Sequence, residues 1–202
     1  MISTRLPRIP YADAARNLLR ESALDAVDEL VRRNGWSATS IANVAELVGV
    51  SRQTLYKEFG SRQSIAEAYG GHRLDQLLSA VTDTVHTYAD DVEVGFRLAL
   101  GMFFDMVHEP LIQTVLSSRS TSAELIPLIR TFNERATEHL AALFRELNPN
   151  VSDCDAVVFA DSIARIGAAH AVAPTLPREV AIDRMVRLIV VVLAANNQPS
   201  LA

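Results

Sequence analysis

The sequence predicts an all-α protein of about nine helices, and three observations carry that prediction. Apolar residues recur at three- and four-residue spacing almost from end to end. No stretch joins two-residue alternation to a hairpin turn of the Asn-Gly or Asp-Gly kind. Pro, Gly and Ser/Thr clusters fall between the periodic segments, where helices must stop.

A first helix is expected from about Tyr11 to Arg33, with Ala15, Leu19, Ala23, Ala26 and Leu30 on one face and Asn34-Gly35 as its end. Thr39 then caps a short second helix carrying Ile41, Val44, Ala45 and Val48, which Gly49 breaks. Ser51 caps a third, Arg52 to Glu58, and Ser61 a long fourth beginning at Arg62. Two glycines inside that pattern, Gly70-Gly71, cost about 2 kcal/mol against alanines and predict a bend. Further helices are read at 72–88, 91–107, 110–117, 123–147, 153–172 and 178–196. Their breaks fall at Pro110, Ser117 to Ser122, Asn148-Pro149-Asn150 and Pro174 to Pro177. Pro127 implies either a start near Leu125 or a kink.

With 49% hydrophobic and 21% charged residues in 202, the chain is neither disordered nor fibrous and is long enough to bury a core. Its most apolar run, Leu188 to Ala195, is too short to cross a bilayer, and the N-terminus has Arg5 and Arg8 but no apolar leader, so a soluble cytoplasmic protein with no membrane partner is expected. Cys154, the single cysteine, excludes an intramolecular disulfide and a cysteine-based zinc site. The net charge of −5 is unevenly spread: residues 1–71 carry +1 and residues 72–202 carry −6, so the acidity lies in the C-terminal two-thirds.

Residues 39–59 meet the demands of a helix-turn-helix, which needs a supporting helix, a tight glycine turn and a second helix that presents polar side chains outward. Ile41, Val44, Ala45 and Val48 form the inner face, Gly49 the turn, and Val50, Leu55 and Phe59 the return packing. Arg52, Gln53, Thr54, Tyr56 and Lys57 are left outward, a set rich in donors for phosphates and base edges. A bare helix-Gly-helix pattern is more often a plain turn with a solvated face. Here a longer string shifts the balance: Gly35-Trp36, Thr39-Ser40-Ile41, Val44-Ala45, Gly49-Val50-Ser51, Thr54-Leu55-Tyr56, Phe59 and Ser61-Arg62.

Over residues 15–70 that string closely resembles the DNA-binding domain of TetR-family regulators. The resemblance implies a DNA-contacting set of Thr39, Ser40, Ser51, Arg52, Gln53, Thr54, Tyr56, Lys57 and Arg62. Of these, Arg52, Gln53 and Thr54 approach bases or phosphates, and Ser40, Tyr56 and Arg62 meet phosphates; Arg62 stands where the family has Lys, at a helix N-terminus suited to an anion. Glu58 stands where the family commonly has an aromatic residue or His. A carboxylate there is repelled by DNA unless it pairs, with Lys57 or Arg62 in reach. Trp36 is read as the hydrophobic anchor of the first helix.

The resemblance also implies the organisation: residues 1–10 a flexible arm, 11–70 the helix-turn-helix domain, and 71–202 a helical domain that binds an effector and dimerises through its last two helices. For that interface the sequence offers Ile163, Ile166, Leu188 and Val192, in helices that are apolar nearly all round or carry small residues such as Gly167, Ala168 and Ala169. For a pocket it offers Phe96, Met102, Phe103, Met106, Phe132, His139 and Phe144, with Phe104, Val107, Leu128 and Leu140 beside them; each alone is more often plain core. His108, Arg97, Arg119 and Asn133 are further polar candidates.

The expected function is a ligand-responsive DNA-binding regulator, a homodimeric repressor released from a palindromic operator by a small apolar effector, fatty-acid-like molecules included. An activator or a ligand-independent regulator of the same fold is the alternative. An enzyme is not expected: no His-Glu-x-x-His, phosphate loop or Cys-His pairing occurs, the five histidines stand singly, and no cofactor or metal is implied. An architectural DNA binder conflicts with the acidic C-terminal part.

Overall fold

The computed structural model describes residues 10–117 and 122–195, and among these every regular element is a helix. In order they are α1 (Tyr11–Ala38), α2 (Ile41–Val48), α3 (Arg52–Phe59), α4 (Arg62–Thr87), α5 (Val92–Val107), α6 (Pro110–Ser117), α7 (Ser122–Leu147), α8 (Asp153–Val172) and α9 (Arg178–Ala195). The chain divides into two compact units, at His72 and Arg73. No helix of the described residues is long and apolar enough to cross a membrane.

In the first unit α1 breaks where the sequence places its end. Gly35 takes φ 74° and ψ 163°, outside the helical region, and a short turn from Trp36 to Ala38 follows. Its buried stripe is Ala23, Leu24, Ala26, Val27 and Val31, a narrower and later face than expected, because Ala15 is exposed and Leu19 and Leu30 are half-buried. Residues 11–18 are exposed throughout.

The cap of α2 is Ser40, not Thr39: the Ser40 Oγ accepts from the Asn43 N–H at 3.2 Å. Thr39 is 2% exposed, and its hydroxyl donates to the Gly35 carbonyl at 3.0 Å. Gly49 ends α2 in the left-handed conformation at φ 77°, ψ 29°, and the Val50 N–H closes back on the Ala45 carbonyl at 2.9 Å. Ser51 caps α3 as predicted, accepting from the Thr54 N–H at 3.1 Å, and Ser61 likewise accepts from the Ser64 N–H at 3.0 Å at the start of α4. Ile41, Val44, Ala45, Leu55, Phe59, Ile65, Ala66 and Tyr69 close the core.

At Gly70-Gly71, where the sequence suggests a bend, the helical assignment of α4 continues through both glycines. The cost of two glycines is offset by burial of Ile65, Ala66 and Tyr69 before them and of Leu74, Leu77 and Val81 after them. In the second unit α7 packs on α8, and α9 on α5 and α8. α7 begins at Ser122, so Pro127 lies inside the helix rather than at its start.

Candidate nucleic-acid interface and effector cavity

Caps, a glycine turn and apolar packing together fix α3 in the first unit, and its outer face follows from which residues those contacts consume. Leu55 and Phe59 are buried, whereas Arg52, Gln53, Tyr56 and Lys57 are exposed, and their side chains make no hydrogen bond to another described residue. Tyr56 is 53% exposed, far more than a packing role would leave it. These four side chains form a donor-rich ridge at the exposed start and middle of a short helix, the arrangement that major-groove readers use.

The remaining sequence candidates have other duties. Ser51 and Thr54 are exposed but bonded to each other, Oγ to Oγ1 at 2.8 Å, as part of the α3 cap. The Ser40 hydroxyl donates to the Asn43 Oδ1 at 2.7 Å while capping α2. Thr39, being buried, presents nothing to a ligand, which corrects its assignment to the DNA-contacting set. Arg62 is turned inward: its Nε donates to the Thr39 carbonyl at 2.7 Å, its Nη2 to the Trp36 carbonyl, and its guanidinium lies 4.2 Å from the Trp36 ring centre. Its expected phosphate role competes with three contacts inside the protein. Trp36 is thus the half-buried platform under Arg62.

Glu58 pairs with neither Lys57 nor Arg62. Its carboxylate accepts from the Arg16 Nε at 2.8 Å and the Arg20 Nη1 at 2.7 Å, both on α1. Burial pushes its carboxyl up, but hydrogen bonds from Arg20 and Arg16, with their positive charge, outweigh that and hold it below the ordinary carboxylate value. Nothing in the local pattern of α3 points to partners some forty residues upstream.

The second unit contains a cavity of about 60 Å³ whose lining is wholly apolar. Phe96, Phe103 and Phe132 line it, as the sequence suggests. Met102 does not; it is 38% exposed, and its Sδ accepts from the Thr84 hydroxyl at 3.8 Å. Met106 and Phe144 are buried core outside the lining, Phe144 against the Phe96 ring with centroids 6.0 Å apart. His139 bonds to the Thr82 Oγ1 at 2.6 Å, one residue along from the lining residues Leu140 and Val81. Of the other polar candidates, His108 bonds the Phe104 carbonyl, Arg97 pairs with Asp183, and Arg119 lies outside the described residues, as does the Leu128 side chain. Asn133 is 7% exposed with its Oδ1 unpartnered, but it is not among the residues that line the cavity.

Sequence reasoning missed the α4 wall, Leu74, Leu77, Leu78 and Val81, and the α9 wall, Met185 and Ile189. Their helical spacing is the only signal they give, and it does not distinguish a cavity wall from ordinary core. Ile163, expected at the dimer interface, also lines the cavity and is 6% exposed. Of the expected interface residues Leu188 is exposed and Ile166 and Val192 are half-buried; the other large apolar residues that α8 and α9 leave outside are Val157, Val158, Val172, Val180 and Val191.

A helix-turn-helix unit followed by a separate helical unit defines a class, the helical DNA-binding regulator. Residues 23–69 match the profile described as bacterial regulatory proteins, tetR family, and residues 91–191 match the bacterial tetracyclin repressor C-terminal domain. The chain is 35% identical over 188 residues to the HTH-type transcriptional regulator AlkX of Mycobacterium tuberculosis, covering 90% of this chain and 88% of that one. It is 29% identical over 92 residues to the HTH-type transcriptional activator FasR of Mycolicibacterium smegmatis, covering 46% and 42%. Among solved structures, the TetR family repressor AlkX from Dietzia sp. strain DQ12-45-1b, implicated in biodegradation of n-alkanes, superposes with a TM-score of 0.71 at 25% identity, over 88% of this chain and 98% of that one. The chain therefore belongs to the TetR family and is a helix-turn-helix transcription regulator.

Proposed function

We propose that the protein is a repressor that works as a homodimer, holds a pseudo-palindromic operator with α3 of each protomer, and leaves it when a small apolar molecule enters the cavity of the second unit. The observation that carries this is the division of the polar side chains. Arg52, Gln53, Tyr56 and Lys57 stand exposed and unspent on α3, while the cavity lining offers a ligand no polar group at all. Dimerisation is supported by the exposed apolar residues on α8 and α9, which a partner's copy of the same surface would cover. DNA as the partner implies a cytoplasmic protein.

The likeness to a repressor implicated in n-alkane biodegradation agrees with the apolar lining and favours hydrocarbon or fatty-acid-like effectors, for which the cavity of about 60 Å³ has to widen to take more than a few methylene groups. Such a ligand acts by selecting a geometry in which the two recognition helices no longer match the half-site spacing, a coupling of about 1 to 3 kcal/mol. The likeness to a named activator supports a second reading, in which effector binding strengthens operator affinity.

The experiment is selection of an operator from a random duplex pool, then mobility shift with and without n-alkanes, alkanols and fatty acids. Release by one of these supports the repressor, and tighter binding supports the activator. Indifference to every apolar compound returns the cavity residues to plain core.

A further inference from the structure

The first turns of α1 are held to α3 by charge rather than by burial. Residues 11–18 are exposed, yet Arg16 and Arg20, one turn apart, both reach the same carboxylate on α3. The Arg16 Nε donates to Oε1 and Oε2 of Glu58 at 3.1 and 2.8 Å, the Arg20 Nη1 donates to Oε1 at 2.7 Å, and the Arg20 guanidinium lies 4.9 Å from the Phe59 ring centre. Two guanidinium groups on one carboxylate leave a net positive charge on the flank of the recognition helix, beside Lys57.

The two arginines are not equivalent. The side chain of Arg20 is 37% exposed and that of Arg16 63%, while Glu58 is 10% exposed. Arg16 spends only its Nε on Glu58; its Nη1 and Nη2 make no hydrogen bond to another described residue. Glu58 thus fixes one edge of a planar fork and leaves the other edge open, which is how a guanidinium is prepared for a second anion. Arg62, by contrast, has turned both Nε and Nη2 to backbone carbonyls.

A helix about 10 to 12 Å across fills a major groove about 12 Å wide, so a cation bonded to the flank of that helix lies over one of the phosphate walls. We infer that Arg16 is a DNA-phosphate contact and that Glu58 is the residue that positions it, so that an acidic side chain on the recognition helix promotes DNA binding. The inference rests on α3 entering the major groove, and it concerns affinity for any sequence rather than base reading.

It makes a prediction of unusual sign. Removing a negative charge next to DNA ordinarily strengthens binding, but here the neutral isostere Glu58→Gln frees Arg16 to move and weakens it. The test is fluorescence anisotropy of the full chain on a mixed-sequence duplex of about 30 base pairs, long enough for two half-sites one turn apart, across a salt series. Arg16→Gln should bind several-fold more weakly, with the log–log salt slope shallower by about 0.9 for each phosphate it no longer neutralises. Glu58→Gln should weaken binding in the same direction, and the double variant should bind no worse than Arg16→Gln alone. Thermal melts show that the variants are folded at the assay temperature. Should Glu58→Gln fail that check, the salt slope of Arg16→Gln, at an exposed position, decides by itself. Tighter binding by folded Glu58→Gln, or an unchanged slope in Arg16→Gln, overturns the inference and leaves the family assignment intact. Failure of the unaltered protein to bind the duplex overturns the groove placement on which it rests.

Discussion

Arg62 lies over Trp36, guanidinium to ring centre 4.2 Å, and the same group donates to the Thr39 and Trp36 carbonyls. One side chain thus ties the start of α4 to the turn that ends α1 and to the residue before the α2 cap. At the break between α1 and α2 the Trp36 carbonyl already accepts from the Thr39 N–H at 3.0 Å, and Arg62 supplies it with a second donor and the Thr39 carbonyl with one.

Arg62→Ala should therefore destabilise the first unit by about 2 kcal/mol, from charge-assisted hydrogen bonds and the stacking that alanine cannot make. Arg62→Lys should recover only part, because an ammonium cannot bridge both carbonyls in the plane of a ring. Urea titration followed by Trp36 fluorescence measures this. Full stability with reduced DNA affinity would return Arg62 to the phosphate-binding role that the family resemblance implies.

Glu58 gives the first unit a dependence on acid. Its folded pKa lies below the ordinary value, so the stabilisation is fully present above the unfolded pKa and is lost as pH falls through the folded one. The difference in urea midpoint between the unaltered protein and Glu58→Gln should accordingly be flat at neutral pH and shrink below the usual carboxylate range. A difference that grows on acidification contradicts the ion cluster.

Gly167 lines the cavity, and a methyl group added there would meet Phe103 at 3.5 Å and Met185 at 3.6 Å, ordinary contact distances. Gly167→Ala should raise stability by about 1 kcal/mol through helix propensity. It should also blunt the response to an apolar effector by filling the space. Undiminished effector response in the stabilised variant would place the ligand elsewhere.

Leu188 and Val191 are 39% and 56% exposed on α9, whereas Ile163 is 6% exposed on α8. Leu188→Glu and Val191→Glu should yield folded, helical monomers in sedimentation at micromolar concentration. Ile163→Glu should lose the fold instead, since a carboxylate in that lining costs several kcal/mol to desolvate. A dimer unaffected by either α9 substitution would move the interface off this face.

The helix-turn-helix was legible because its information is local. Caps at Ser51 and Ser61, the left-handed turn at Gly49 and the exposed positions of α3 each follow from neighbours within five residues. The Thr39 and Ser40 assignments differ by one place because both residues are good caps, and the choice falls to whichever hydroxyl meets the Asn43 N–H. The cavity was half legible: three phenylalanines announce apolar bulk, but Met102, Met106 and Phe144 share their spacing and lie elsewhere.

By itself, then, the sequence determined the helices, most of their stops, the exposed polar row of α3 and the family resemblance, because periodicity and capping act over one or two turns. The tertiary structure decided which cations are spent and which are free. Arg62 reaches back 26 residues to Trp36, and Arg16 reaches forward 42 to Glu58. It also decided that Ile163 faces a cavity and Leu188 the outside. A period of 3.6 residues says which side chains share a face, but what lies opposite that face is set by packing among helices distant in the chain.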